Sequence, residues 1–469
     1  MLTRLRSHFA RQTQIAACGA VVLGLLFVTL LGLRDLKTYV VETIAIGLAA
    51  GLAYLIVLYL LERAPEYPGT LWWVLLSAIV FRLLLLPLPP SLSDDLHRYR
   101  WEGFIQQLGA NPYLTRPADP AFAPLMEEFR ARGEVIPGAD IPAVYPPLAE
   151  QIFRLAAEAA RAAPSAALIW FKLPALAGDL FLLCLLAWWI RTTGGRSVQL
   201  AIYAWNPLVV VEFAASGHYD ALAVAAVLAA ILVLARSRQT VSAVLFAAGV
   251  LLKWFPATLL PLWLRRLDWP RSRRAWQALA AAALLSLLCA WPYRAAWPEV
   301  LDVLAYFESR WHHNNASLYA LLTWLADPAA PQDPQVAIPP GAAFHDLAAG
   351  LGLGVVAGIA LWAAARKLDV LHAAYLLFGA TLLFAPNAFP WYFTWMVPLL
   401  VFFPHPAWLL LTVLQFLSYH VLIDYQASGV WRFQPQMLWL VYGPFYAWLA
   451  AAGLRSNHNL CAALSGYRS

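Results

Sequence analysis

Charge is scarce in this chain: Asp, Glu, Lys and Arg make up 12% of its 469 residues, about half the share of an ordinary soluble domain. No stretch is long and polar enough for a separate soluble domain, so 1–469 reads as one integral membrane domain. Cysteine is sparse as well. Cys18, Cys184, Cys289 and Cys461 stand singly, three of them inside apolar runs, which excludes a disulfide framework and a thiolate metal site and leaves them as small core residues. A net charge of +6 and a pI near 9.1 raise the question of nucleic acid, but the basic residues lie in short clusters between apolar runs. That pattern sets membrane topology, and nucleic-acid binding is discarded. No internal repeat is evident, which argues against a transporter built on inverted repeats.

What abounds is apolar: 62% of the residues are hydrophobic and 22 are Trp. Runs of about 20 mainly apolar residues, enough to cross the hydrocarbon as a helix, recur from end to end. The expected fold is an all-α polytopic membrane protein of about 12 crossings plus a re-entrant helical pair, with amphipathic helices in two external loops. Arg4, Arg6 and Arg11 precede the run 16–33, which is longer than a signal peptide and lacks a small-residue cleavage site, so it is read as a retained first span with a cytoplasmic N-terminus. Runs 39–61 and 70–88 follow, the latter ending at Pro87, Pro89 and Pro90. Residues 89–165 form a first external loop whose segment 148–162 has helical apolar spacing and suits a helix lying along the bilayer surface.

Spans are expected at 166–190, 199–213 and 219–235. The run 240–264 has basic residues beyond both ends, Arg236 and Arg238 before it and Arg265 and Arg266 after it, so it is read as two half-helices that enter and leave on one side, turning at Lys253-Trp254-Phe255-Pro256. A span at 275–293, a second external loop at 294–344, and spans at 346–365, 370–385, 391–403, 407–423 and 436–454 complete the bundle. On this topology 17 of the 32 Lys and Arg residues are cytoplasmic, seven lie in the first external loop and five in other external segments.

The remaining three, Arg82, Lys172 and Lys253, fall inside apolar runs. A charge at such a depth costs about 2.5 to 3.5 kcal/mol on insertion scales and requires a partner, a wet cavity or a job. Arg82 and Lys172 each lie six residues from the external end of a span, about 9 Å below the boundary at ~1.5 Å per residue. Either can snorkel outward or pair with Asp179. Three cations at one level favour an anion-binding cavity that opens outward. Glu212, His218 and Asp220 cluster around one short external turn, where solvated caps are the bland alternative. Asp94 and Asp95 follow Ser93, which can cap a helix whose macrodipole suits acids in its first turn. Paired titratable groups at the boundary, with Arg98 and Tyr99 one turn on, point instead to catalysis. His312 and His313 are adjacent and point apart on a helix, without a spaced third ligand, so they cap or line the cavity.

The segments SDDLHRYRWEGF at 93–104, Ala110-Asn111-Pro112-Tyr113, Tyr145-Pro146-Pro147-Leu148, WNPL through GHYDAL at 205–222 and LLKWFP at 251–256 together resemble the GT-C glycosyltransferase superfamily. The resemblance is greatest to bacterial polyprenol-phosphate-mannose-dependent mannosyltransferases, glycosyltransferase family 87 and its relatives. It implies a GT-C-like bundle in a bacterial inner (plasma) membrane, with the active site facing the periplasm or exterior. The implied reaction moves a sugar, mannose above all, from a polyprenyl-phosphate donor to a lipid or glycan acceptor with inversion. A phosphate leaves without needing a proton, so one base, Asp94 or Asp95, suffices. Lys253, Arg82, Lys172, Arg98 and His218, in that order, would hold the donor phosphate. Glu212, Asp220, Tyr99, Trp101, Asn111, Tyr145, His312 and His313 would meet sugar or acceptor, Glu212 and Asp220 also orienting His218. Apolar gaps between helices would take the polyprenyl tail among the membrane lipids. No cofactor is implied with certainty: some members of the superfamily use a divalent cation near an acidic pair and others do not. A transporter or flippase of a lipid-linked anion is the rival reading.

Overall fold

The computed structural model describes residues 2–304, 316–327 and 343–465, and side chains within 11–304, 316–327 and 345–452. Among these residues there is helix and no strand, and the protein is an all-α polytopic membrane protein. Helices α1 (Leu2–Leu33), α2 (Val40–Arg63) and α3 (Thr70–Leu85) pack together. Helix α3 stops where Pro87, Pro89 and Pro90 withdraw three backbone donors. Six helices are long and apolar enough to cross a membrane, or seven when Ser197–Ala204 and Pro207–Ala215, bent by 48°, count as one span. The crossing expected at 436–454 lies within one long helix, Pro435–Ser465, and the remaining ones are shorter or broken. The run at 391–403, expected as a plain span, is instead a tight turn over Pro390–Trp395 followed by Val397–Leu400. Pro390 and Pro398 cannot complete a regular ladder, and such backbone is tolerated at this depth because protein buries it from lipid.

Between α3 and the next long helix lie α4 (Asp95–Gln107), α5 (Ala123–Ala131) and α6 (Pro147–Ala162). Helix α6 is amphipathic and buries Ala149, Phe153, Ala156, Ala157 and Ala160 against α4 and α7 (Ala167–Thr193). The approach to α4 is close enough to require glycine, since a Cβ on Gly103 would stand 2.4 Å from the Phe153 carbonyl oxygen. A second small core of Trp101, Ile105, Phe129 and Ile136 stiffens the same segment.

Helix α8 (Ser197–Ala204) breaks at Asn206, whose side chain accepts from the Leu208 and Val209 amides and starts α9 (Pro207–Val210) with Pro207 in its first turn. The chain continues as a π-turn over Val211–Ala215 and enters α10 (Asp220–Leu234) through Gly217 at φ 77°. Helix α11 (Gln239–Leu252) runs back along α10 and ends at Lys253, which is extended at φ −150°, ψ 141°. A tight turn over Phe255–Leu259 then leads into α12 (Leu260–Arg266). Gln239 and Arg266, the two ends of this excursion, line one cavity of about 320 Å³ together with Asp369. At its tip the Trp254 indole donates to the Val144 carbonyl at 3.0 Å. Excursion 239–266 is thus a hairpin whose tip meets the α4–α6 segment. Helix α13 (Arg273–Ala290) packs on α11.

Candidate active site

Asp94 and Asp95, adjacent in sequence, turn apart. Asp94 ends the chain's approach to α4; its Oδ1 lies 3.3 Å from Lys37 Nζ, in the connection between α1 and α2, and its Oδ2 accepts from the Tyr425 hydroxyl at 2.9 Å. Asp95 begins α4, with its amide donating to Ser93 Oγ at 3.2 Å. Its Oδ2 faces the Tyr99 hydroxyl at 3.5 Å and His218 Nδ1 at 3.9 Å. Burial pushes the Asp95 carboxyl up to about 7; Lys253 and Tyr99 oppose this, while Asp220 and Asp94 reinforce it.

Lys253 occupies the hairpin tip because the helix ends there, and its ammonium lies 3.0 Å from Asp220 Oδ2 and over the rings of Tyr219 and Tyr392. The Trp395 indole holds the other Asp220 oxygen at 2.8 Å. Asp95, Lys253, Arg98, Tyr145 and Tyr392 line a cavity of about 60 Å³, roofed by residues 137–144. That is room for about two waters at ~30 Å³ each. A carboxyl group and an ammonium from separate elements therefore face one small enclosure.

The other residues singled out by sequence are distributed unevenly around it. Tyr99 stacks on Phe153 beside Asp95, and Tyr145 and Tyr219 meet both rings edge to face. Glu212 and His218 lie behind Asp95, with His218 stacked on Trp391 at 4.1 Å between ring centres. Arg98 touches the cavity, but its guanidinium is committed: it donates to Glu102 at 2.6 Å and to the carbonyls of Pro137, Gly138 and Ile141, tying down the roof. Next to it Glu102 and Glu150 are fully buried together. Burial and the neighbouring Glu102 carboxyl raise Glu150 well above the usual range.

Arg82 and Lys172 do not reach the cavity. Arg82 is sealed in a bidentate pair with Asp179 at 2.6 and 3.0 Å, and its remaining nitrogen donates to the carbonyls of Ala78 and Ala204. Lys172 donates to the Leu86 and Leu88 carbonyls and caps the end of α3. Their side chains turn toward backbone acceptors and, for Arg82, Asp179. Trp101 is in the small core of the α4–α5 segment, and Asn111 closes a turn by accepting from the Tyr113 amide at 3.1 Å. His312 and His313 lie outside the described residues.

Asp94 gives both oxygens to Lys37 and Tyr425, Asp95 faces His218, and among the described residues no group of three or more His, Cys, Asp or Glu converges. Lys37, Tyr425, Trp391, Tyr392 and Trp395 escaped the sequence reading as site residues. Trp391 and Tyr392 stand in a Pro-Trp-Tyr motif that could have marked them; for Lys37 and Tyr425 the sequence carries no local sign.

The model of a family described as "Alpha-(1->6)-mannopyranosyltransferase, N-terminal domain" matches residues 13–267, a stretch that runs from within α1 to the end of α12 and includes Asp94, Asp95, His218 and Lys253. Alpha-(1->6)-mannopyranosyltransferase A of Mycobacterium tuberculosis is 25% identical over 391 residues, covering 76% of this chain and 70% of that protein. No solved structure gives a significant match.

Proposed function

The chain belongs to the alpha-(1->6)-mannopyranosyltransferase family, and on that premise we propose that it moves mannose from a polyprenyl-phosphate carrier to a lipid or glycan acceptor, with inversion, at the face carrying α4–α6. That face is then the periplasmic or exterior side of a bacterial plasma membrane. The observation that carries this reading is the shared enclosure of Asp95 and Lys253. A carboxylate with its proton affinity raised toward neutrality is suited to take the proton of an attacking hydroxyl. The departing phosphate gains negative charge and needs a cation already in place, which Lys253 supplies from the hairpin tip. Asp220 and Trp395 fix the lysine's position.

Asp95 is the base in this scheme and Asp94 an anchor. Asp94 joins α4 to Lys37 and Tyr425, whereas Asp95 opens on the cavity. A mannosyl phosphate exceeds the present enclosure, so residues 137–144, held by Arg98 and Trp254, must lift for the donor to enter. The experiment is transfer of radiolabelled mannose from polyprenyl-phosphate-mannose by the full chain in membranes. Asp95→Asn should lower kcat by roughly 10²–10⁴-fold, the usual contribution of a positioned base, with Asp94→Asn losing far less. Equal loss in both variants, or an active Asp95→Asn, overturns the assignment.

A further inference from the structure

Behind Asp95 lies a line of ionisable groups that the transfer chemistry above does not use. His218 is 1% exposed and Glu212 fully buried. His218 Nδ1 stands 3.9 Å from Asp95 Oδ2, and its Nε2 stands 3.3 Å from Glu212 Oε2. Neither imidazole nitrogen, nor that Glu212 oxygen, has a hydrogen-bond partner among the described residues. The other Glu212 oxygen accepts from the Tyr419 hydroxyl. Stacking on Trp391 at 13° fixes the ring plane, and Gly217 lets the turn carrying it lie against the Lys172 stem and Leu96, where a Cβ would stand 2.8 and 2.6 Å away. Buried polar atoms left unpaired are costly, and here two acids bracket one imidazole.

We propose that His218 is a positioning residue that receives, through Nδ1, the proton Asp95 takes from the acceptor, while Glu212 holds Nε2–H and so presents the Nδ1 lone pair to Asp95. This rests on Asp95 being the base. The acceptor O–H bond breaks as its oxygen bonds to the anomeric carbon; the anomeric C–O bond breaks and its electron pair leaves with the phosphate. The proton passes from the hydroxyl to Asp95 and on to His218, and returns through Asp95 to the phosphate monoester as the cavity opens. Asp95 is thereby ionised again within the closed site. Burial and the Lys253 ammonium hold the resting imidazole well below its ordinary proton affinity, and the imidazolium formed in between is bracketed by Asp95 and Glu212. The 3.9 Å separation is of the kind that tightens when substrate fills a ligand-free site.

The test is the pH profile of kcat, with polyprenyl-phosphate-mannose as donor, for the wild type, His218→Gln and Glu212→Gln. Gln retains hydrogen bonding at 218 but cannot carry the proton. His218→Gln should lower kcat by about 10- to 100-fold, leave KM within about twofold, and displace the acid limb of the profile by about half a pH unit or more. Glu212→Gln, which keeps the shape and the Tyr419 contact, should displace the same limb, and it decides the matter if the histidine variant does not fold. An acid limb that superimposes on the wild type, whatever the loss in kcat, assigns His218 to structure alone and overturns the proposal. A wild type that moves no mannose from this donor, or an active Asp95→Asn, defeats the underlying reading instead, so the two failures are told apart.

Discussion

At the scale of single residues, neighbouring or similar side chains have opposite fates because of where their partners come from. Arg82 and Lys253 are both cations in apolar runs, yet one closes a dry ion pair and the other faces the cavity. Removing one member of a buried pair leaves an uncompensated charge, so Asp179→Asn should destabilise the protein by about 3–5 kcal/mol. Mannose transfer per folded molecule should stay near the wild-type value, because Arg82 makes no contact with the cavity. Thermal melting and specific activity of the purified protein check both halves. A selective loss of kcat in a fully stable Asp179→Asn would return Arg82 to the phosphate site. Sequence could place Arg82 and Lys172 in depth, since the rise per residue is constant. It could not give their azimuth, which packing sets, and azimuth decides whether a cation meets a cavity or a carbonyl.

At the scale of elements, the site depends on two junctions. One is the break at Lys253, legible in sequence as a proline-bearing turn within an apolar run flanked by arginines. The other is the contact of α4 with α6, for which the sequence offered only an amphipathic pattern. Gly103 at that contact has no room for a side chain, the obstacle being backbone of α6 rather than a flexible neighbour. Gly103→Val should therefore push α4 from α6, shift Asp95 and loosen the roof that Arg98 secures beside Glu102. The expected outcome is faster proteolysis within 89–165 and at least a tenfold loss of kcat/KM, about 1.4 kcal/mol in transition-state stabilisation. Wild-type activity and protease resistance in Gly103→Val would show that α4 and α6 do not need this close approach.

At the scale of the whole molecule, burying Asp95 costs stability. Burial pushes the folded Asp95 carboxyl up to about 7 from an ordinary value of 3.8. Between these values the folded protein binds a proton that the unfolded chain does not, so stability falls as pH rises through this window and the full cost is present above it. Asp95→Asn removes the cost. Its melting temperature should match the wild type near about pH 4 and exceed it above about pH 7, opposite to its effect on activity. A variant less stable than the wild type at alkaline pH would mean that the ionised carboxylate is held by interactions rather than strained by burial.

The sequence by itself determined the all-α membrane architecture, because hydrocarbon thickness fixes how many apolar residues a crossing needs and because turns and charge clusters punctuate them. It also marked Asp94, Asp95, His218 and Lys253 as worth attention, since charge at such positions has few uses. Only the tertiary structure decided that Asp95 faces the cavity while Asp94 anchors to Lys37 and to Tyr425, 331 residues further on. It also decided that Arg82 belongs to Asp179, that the crossing expected at 391–403 is a buried irregular turn, and that Trp395 steadies Asp220. Burial cost is local and can be read along one chain segment. The choice of partner depends on which helical faces meet, a property of the packed bundle and of no single segment.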